Sequence, residues 1–477
     1  MAPSRRDFLR TGACALGGAA LASSFDSFGL VHALTPQAAT DYRALVCIFL
    51  NGGNDGNNTV VDLAQYTGPV GSTTTGYSNV RGADLAIPQA NLLAVSPITG
   101  GSYGFHPNLT GLRDLFNPPL QKLAVISNVG PLVEPLTKTS YMSGAGKKPL
   151  QLFSHSDQVG LFQTSIANVV AQTGWSGRVA DTVAGLNGSA TFPQNISIAG
   201  INLLLTGVNT RQLAVADSNT SLANVLQLTM TSNGHTTQEM TARTNSFNQL
   251  RDYDRNLTLI KAASDTRSSA IQTDAALSTV NPILTTVFPN TSLGRQLLQV
   301  ARLIKASTDP AAGISMKRQI FFCQIGGFDT HSSQITAQNN LMTQLSAAMR
   351  AFYDATVELG LANNVTTFTL SDFGRTLQVS GTGAQAGSDH GWGNNHFIMG
   401  GSVLGGRFYG TYPTLQLGGP DDTNNPGSNA RGRWIPTTSV EQYAATLATW
   451  YGLSSVDLPA VFPLIGRFSS PTLPFMT

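Results

Sequence analysis

Three apolar runs, each followed within a few residues by a carboxylate, constrain this chain more than any other feature. Residues 45–50 (LVCIFL) lead into Asn54 and Asp55, residues 319–325 (QIFFCQI) into Asp329 and His331, and residues 365–370 (VTTFTL) into Asp372 and Arg375. Short runs of this kind, rich in β-branched and aromatic side chains, suit strands buried on both faces of a parallel sheet. Residues 122–129 (KLAVISNV) form another such run, and residues 195–205 suit one or two more strands. Helical patterns lie between them. Residues 108–116 carry Leu109, Leu112, Leu115 and Phe116, with Asn108 as the expected cap. Residues 293–304 place Leu293, Leu297, Val300, Ala301 and Ile304 on one face, and residues 175–186, 341–359 and 439–451 also suit helices. Strands alternating with helices predict an α/β domain with a mostly parallel sheet. Residues 222–280 are different: polar, strand-poor and patterned for amphipathic helices. They are expected to form an inserted or capping layer at about 220–285 within a domain spanning 40–477.

Charge is scarce. Charged residues make up 11% of the 477, with 28 Lys and Arg against 26 Asp and Glu. A near-neutral chain lacks the basic face of a nucleic-acid binder and the repulsion that keeps chains disordered. With 41% hydrophobic residues it can build a large core. The few acids it has are therefore informative by position.

The first residues read as an address. Arg5 and Arg6 in SRRDFLR precede a mild apolar run at 11–22 rich in Ala and Gly, the pattern of a twin-arginine export signal. The run is shorter than the ~20 residues that span a bilayer. Cleavage is expected after Val31-His32-Ala33 or at Ala39, making 1–33 the signal peptide. The expected partner is the twin-arginine translocase, which carries folded proteins, and the expected location is periplasmic or secreted. No other run is apolar enough to span a membrane. Cys47 and Cys323 lie inside strand runs as expected buried thiols, outside any zinc-finger spacing.

Sites on open α/β sheets form beyond the carboxyl ends of parallel strands, where Asp55, Asp329 and Asp372 fall. A fourth motif, GSDHGWGNNH, adds Asp389, His390 and His396 in a glycine-rich loop. Carboxylates with imidazoles are ligands for a divalent metal, zinc or manganese. Each Asp alone would equally cap a helix or close an Asx turn. Their recurrence with His331, His390 and His396 favours a shared metal site. Asp389 and His390 would alternatively act as a pair that orients a ligand. Arg375 has two open roles: clamping an anion, or pairing with a nearby Asp. His106, before Pro107, is expected to shape a turn. His155, among Ser154, Ser156 and Asp157, belongs either to a nucleophile cluster or to a capped helix start. His235 is expected at the surface.

The motifs FLNGGNDGNNTVV, YGFHPNL, LAVISNVG, FSHSDQ, GWSGR, GGFDTH, SDFGRT, DHGWGNNHFIMGG and YAATLATWYGL occur in this order. With them the chain resembles, over nearly its whole length, an exported bacterial family catalogued as domain of unknown function number fifteen-oh-one, grouped with the alkaline phosphatase and sulfatase superfamily. The resemblance implies a three-layer sandwich, a mixed, mainly parallel sheet between helical layers, with one or two divalent metal ions at its carboxyl edge. It implies Asp55 as first-strand ligand, Asp329 and His331 as the Asp and His of the other metal, Asp372 as bridging or completing the first site, and His390 or His396 as the late histidine. Two features depart from the superfamily pattern. Phe373 stands where its phosphatases commonly have His, and the mature chain has no Cys-x-Pro-x-Arg or Ser-x-Pro-x-Arg, which speaks against a formylglycine sulfatase. Ser154 is the candidate nucleophile. The implied function is a metal-dependent hydrolase of phosphate or sulfate esters, its substrate a small anionic ester or a glycan-linked one. The rival is a non-catalytic binding or assembly protein on a degenerate scaffold.

Overall fold

The computed structural model describes residues 39–477 apart from 191, 225–233, 253–263, 265–267, 269, 278–281 and 310–313. The expected export signal at 1–33 lies outside the described residues, as does much of the expected insertion.

The strands, in chain order, are β1 (Arg43–Asn51), β2 (Val60–Asp62), β3 (Leu93–Val95), β4 (Tyr103–Phe105), β5 (Leu123–Gly130), β6 (Asn195–Ser197), β7 (Gln212–Ala214), β8 (Arg318–Gly326), β9 (Val365–Ser371), β10 (Arg375–Ser380), β11 (Gly387–His390), β12 (Asn394–Gly400), β13 (Phe408–Tyr409) and β14 (Thr438–Ser439). The helices used below are α1 (Tyr77–Leu85), α2 (Thr110–Phe116), α3 (His155–Thr164), α4 (Trp175–Val183), α5 (Thr237–Asp252), α6 (Ser292–Thr308), α7 (Gln334–Glu358) and α8 (Val440–Tyr451).

The central sheet runs β13-β5-β12-β9-β1-β8-β6-β7, with β14 also on β5. It is parallel except where β12 inserts antiparallel between β5 and β9. Side chains alternate across β1. Ala44, Val46, Ile48 and Leu50 join a core with α2, α6 and α7, while Leu45, Cys47 and Phe49 join one with α4 and α8. Helices thus cover both faces, giving the three layers expected, and a strand with no wet face reads as an unbroken apolar run. The same alternation sends Cys47 and Cys323 to opposite faces, and both are free, buried thiols.

The four apolar runs and the long helices fold as their patterns predict. Residues 195–205 yield one short strand, β6, of the one or two expected. Two local differences stand out. The outer neighbour of β6, β7, carried no apolar signal. Helix α2 starts after Leu109 without a side-chain cap, because Asn108 turns its amide to Thr343 instead. From the inserted region the described residues include α5, whose side chains are largely exposed. No helix among the described residues is long and apolar enough to cross a membrane.

One consequence of the strand order positions the site. β9, β1 and β8 are neighbours, so the loops bearing Asp372, Asp55 and Asp329 leave the sheet side by side. Gly52 (φ +115°) is where they interlock: a Cβ there would stand 2.4 Å from the Asp329 backbone nitrogen. Its N–H donates to Asp372 Oδ1 at 2.9 Å.

Candidate metal centre

Four side-chain atoms meet above this edge: Asp329 Oδ1 and the Nε2 atoms of His155, His331 and His390. His390 Nε2 lies 3.0 Å from His155 Nε2 and 2.9 Å from His331 Nε2. Asp329 Oδ1 lies 3.1 Å from His331 Nε2, 3.4 Å from His155 Nε2 and 3.7 Å from His390 Nε2. The His155–Asp329–His390 trio has all its ligand atoms within 4.8 Å of one another. Among the described residues no other group of His, Cys, Asp or Glu is gathered in this way.

The tautomers follow from the far side of each ring. His155 Nδ1 faces Asp372 Oδ2 at 2.8 Å, His390 Nδ1 faces the Phe153 carbonyl at 2.7 Å, and His331 Nδ1 faces Asp389 Oδ1 at 3.4 Å. The acceptors hydrogen-bonded to Nδ1 of His155 and His390, and the Asp389 carboxylate facing Nδ1 of His331, favour a proton on that nitrogen, which gives each ring, when neutral, a lone pair on Nε2. Three lone pairs and a carboxylate oxygen then point at one another with no proton between them. That arrangement repels unless a cation stands among them, and carboxylate-held imidazoles are how metal ligands are oriented. The spacing suits one as well. Ligand atoms ~2.0–2.2 Å from a tetrahedral zinc are about 3.3–3.6 Å apart.

Electrostatics keep the set ready. Burial holds the His390 imidazole below its ordinary range, which preserves its lone pair. Burial alone would raise the Asp329 carboxyl, but the hydrogen bond and charge of Arg375 outweigh it and hold it below the usual carboxylate range. Asp389 is likewise held low against its burial, chiefly by a hydrogen bond from Ser380. The site is open: the Asp329 and His331 side chains are 49% and 46% exposed.

Of the residues expected from sequence, the structure brings together Asp329, His331 and His390, with Asp372 behind His155 and Asp389 behind His331. It does not bring Asp55. That carboxylate is 2% exposed and caps the turn at Gly56–Thr59 through Asn57, while Arg81 from α1 grips both its oxygens at 2.6 and 2.9 Å and Gln334 adds a third contact. Its lone pairs are spent on a buried ion pair. His396 is not brought either. Alternation along β12 turns it into the core between Phe162 and Tyr443, where its Nε2 has no partner and burial pushes its pKa down to about 3.

Arg375 takes the second of its two expected roles. Fully buried, it donates to the carbonyls of Gly52, Gly53, Phe328 and Ser388 and to Asp329 Oδ1, so its side chain is turned to the protein and not to an anion in the open site. Ser154 stands at the N-terminus of α3 but does not cap it; its Oγ donates to Asp157 at 2.6 Å. Phe373 packs its ring against His155 and His390, with centroids 4.7 and 4.6 Å apart. His106 shapes its turn, accepting from the Asn108 N–H at 3.2 Å, and His235 lies at the surface beside Glu239.

Sequence reasoning passed over His155 as a ligand. It sits at the head of a helix rather than beyond a strand, 217 residues from the Asp372 that orients it. The structure marks it by a strained approach, with Gln151 and Phe153 at φ +41° and +72°, conformations that non-glycine residues adopt at a cost and that gather at functional sites.

No curated protein matches the chain. Among solved structures it is similar to Ps i-CgsB bound to k-i-k-neocarrahexaose, at 9% identity over 87% of this chain and 74% of that one, with a TM-score of 0.32. It is also similar to the lipoteichoic acid synthase LtaP from Listeria monocytogenes (6% identity, 90% and 78% covered, TM-score 0.30). A third is the alkaline phosphatase from the Antarctic bacterium TAB5 (12%, 76% and 92%, 0.22). These likenesses are distant, and the fold assignment stands on the sheet topology above. The model of the family described as "Protein of unknown function (DUF1501)" matches residues 135–426, a narrower span than the ordered motifs suggested, but one containing every residue of the cluster. It covers more than half of the 477 residues, and the chain belongs to the DUF1501 family.

Proposed function

We propose that this protein is an exported hydrolase of phosphate or sulfate esters that works with one divalent cation held by Asp329, His155, His331 and His390. The observation that carries the reading is the convergence of three imidazole lone pairs and a carboxylate oxygen, each imidazole held from behind by an acceptor. A cation at such a set polarises an ester oxygen and lowers the pKa of water. The chain's own residues do the rest. Asp372 and Asp389 keep the protons of His155 and His331 on Nδ1, Arg375 locks Asp329 and three loop carbonyls in place, and Phe373 walls two of the imidazoles from one side. Partial exposure of the ligands leaves room for an ester to approach.

Elemental analysis of the purified protein, followed by assay on aryl phosphate and aryl sulfate esters, tests the reading. A protein without bound metal, or turnover that survives Asp329→Ala, sinks it. Ser154→Ala leaves all four ligand atoms in place and so separates two modes of attack. Lost turnover at full metal content assigns the attack to the serine, and retained turnover assigns it to water.

Two observations favour a second reading, a binding or assembly protein that keeps the cation to hold a glycan. Phe373 fills the place of a second-site histidine, and the Ser154 hydroxyl is already committed to Asp157. That reading predicts full metal content with no turnover of either ester.

A further inference from the structure

Beside the cluster stands a guanidinium that the fold holds but does not use. The Nε of Arg433 donates to the His390 carbonyl at 2.8 Å. Its guanidinium carbon lies over the Phe153 ring, 4.5 Å from the centroid, and the Phe153 carbonyl is the acceptor that orients His390. Arg433 is therefore fixed by the same two residues that aim one of the cluster's imidazoles. Its terminal amines, Nη1 and Nη2, make no hydrogen bond or ion pair with the described residues.

The acids around it are already occupied. Asp389 faces His331 and accepts from Ser380. Asp422 accepts the N–H groups of Gly418, Asn424 and Gly432. Asp389 and Asp422 attract Arg433 through space and Arg431 repels it, but burial outweighs them and neither carboxylate hydrogen-bonds to it. A half-buried guanidinium whose terminal amines meet no acceptor is unfavourable on its own. With its stem immobilised and two donors free, it is already shaped to take two oxygens of one anion. Arg375 offers the contrast, since it is fully buried and each of its nitrogens already donates to the protein.

We propose that Arg433 is the anion-recognition residue of this site, its two terminal amines holding a tetrahedral oxyanion, phosphate or sulfate, of the ligand that sits against the cluster. The assignment deepens the hydrolase reading and takes its location from it. The experiment titrates inorganic phosphate, and separately sulfate, into the wild-type protein, Arg433→Gln and Arg433→Lys by calorimetry, with metal content measured on the same samples. The expected result is binding of at least one anion by the wild type. Arg433→Gln should weaken it about tenfold or more at unchanged metal content, and Arg433→Lys, a charge without the fork, should fall between. The better-bound anion identifies the ester class. Should Arg433→Gln fail to fold, a weakened Arg433→Lys carries the test. Binding of neither anion by the wild type, or wild-type affinity in the variants that fold, overturns the assignment. A wild type that binds anion through Arg433 but holds no metal would instead sink the hydrolase reading and leave Arg433 standing.

Discussion

Asp329 and Asp55 make an instructive pair. Each follows a buried parallel strand, the two strands are neighbours, and both carboxylates emerge at the same edge of the sheet. Asp55 meets Arg81, is sealed from water and closes a dry ion pair. Asp329 shares its oxygen with Arg375 but stays half exposed and faces three imidazoles. Motif position delivers a carboxylate to the rim, and its partner decides what it does there. An arginine that takes both oxygens makes a structural brace, whereas imidazoles with protonated far sides make a nest for a cation.

Exchanging the fates of the two acids tests that contrast, and the largest effect is expected at the rim. Asp329→Ala should abolish metal binding and turnover together, at a smaller cost in stability than the loss of Asp55, because the half-exposed Asp329 is replaced by water and Arg375 keeps its backbone carbonyls; metal analysis beside a thermal melt reads both. Asp55→Ala should do the reverse. Stranding Arg81 in the core costs about 3–5 kcal/mol, visible as a lower denaturation midpoint, while the folded fraction keeps its metal. An Asp55→Ala protein of normal stability that had lost its metal would restore Asp55 as a ligand.

A smaller effect probes the support behind the cluster. Asp372→Asn removes the charge that fixes the His155 tautomer but keeps a side chain of similar shape. Metal affinity should fall about 10–100-fold, measured by competition with a chelator. Unchanged affinity would mean that His155 needs no orienting carboxylate.

The smallest effect concerns a histidine that never reaches the rim. His396 has a folded pKa of about 3, below its unfolded value of roughly 6.5. Between those values the unfolded chain binds the extra proton, so stability drops as pH falls through that window and is untouched above it. His396→Phe should flatten this acid slope by up to about 1.4 kcal/mol per pH unit, seen in denaturant titrations at pH 4 to 7. A slope that does not change would place the acid sensitivity elsewhere.

Much of this was legible in the sequence because it is local. A strand buried on both faces must read as an apolar run, and an Asp just past its end must lie at the sheet edge, so the placement of Asp329 and Asp372 followed from neighbours in the chain. His331 came with Asp329 for the same reason. His396 misled because it shares a motif with His390, but His390 ends β11 at the rim, whereas His396 lies on β12, whose alternation turns it into the core. Arg81 and His155 gave no local sign of their partners. One comes from a helix that packs over the β1 loop, the other from a helix head.

The sequence by itself determined the layered α/β architecture, the edge on which acids gather and the scarcity of charge that makes them noticeable. Only the tertiary structure decided which acid was neutralised by arginine, which imidazoles turned their lone pairs together and which guanidinium was left with free donors. The first set depends on periodicity and composition, which are properties of short segments. The second depends on which side chains from distant segments come within hydrogen-bonding reach, and that is fixed only when the sheet is assembled and its loops interlock at Gly52.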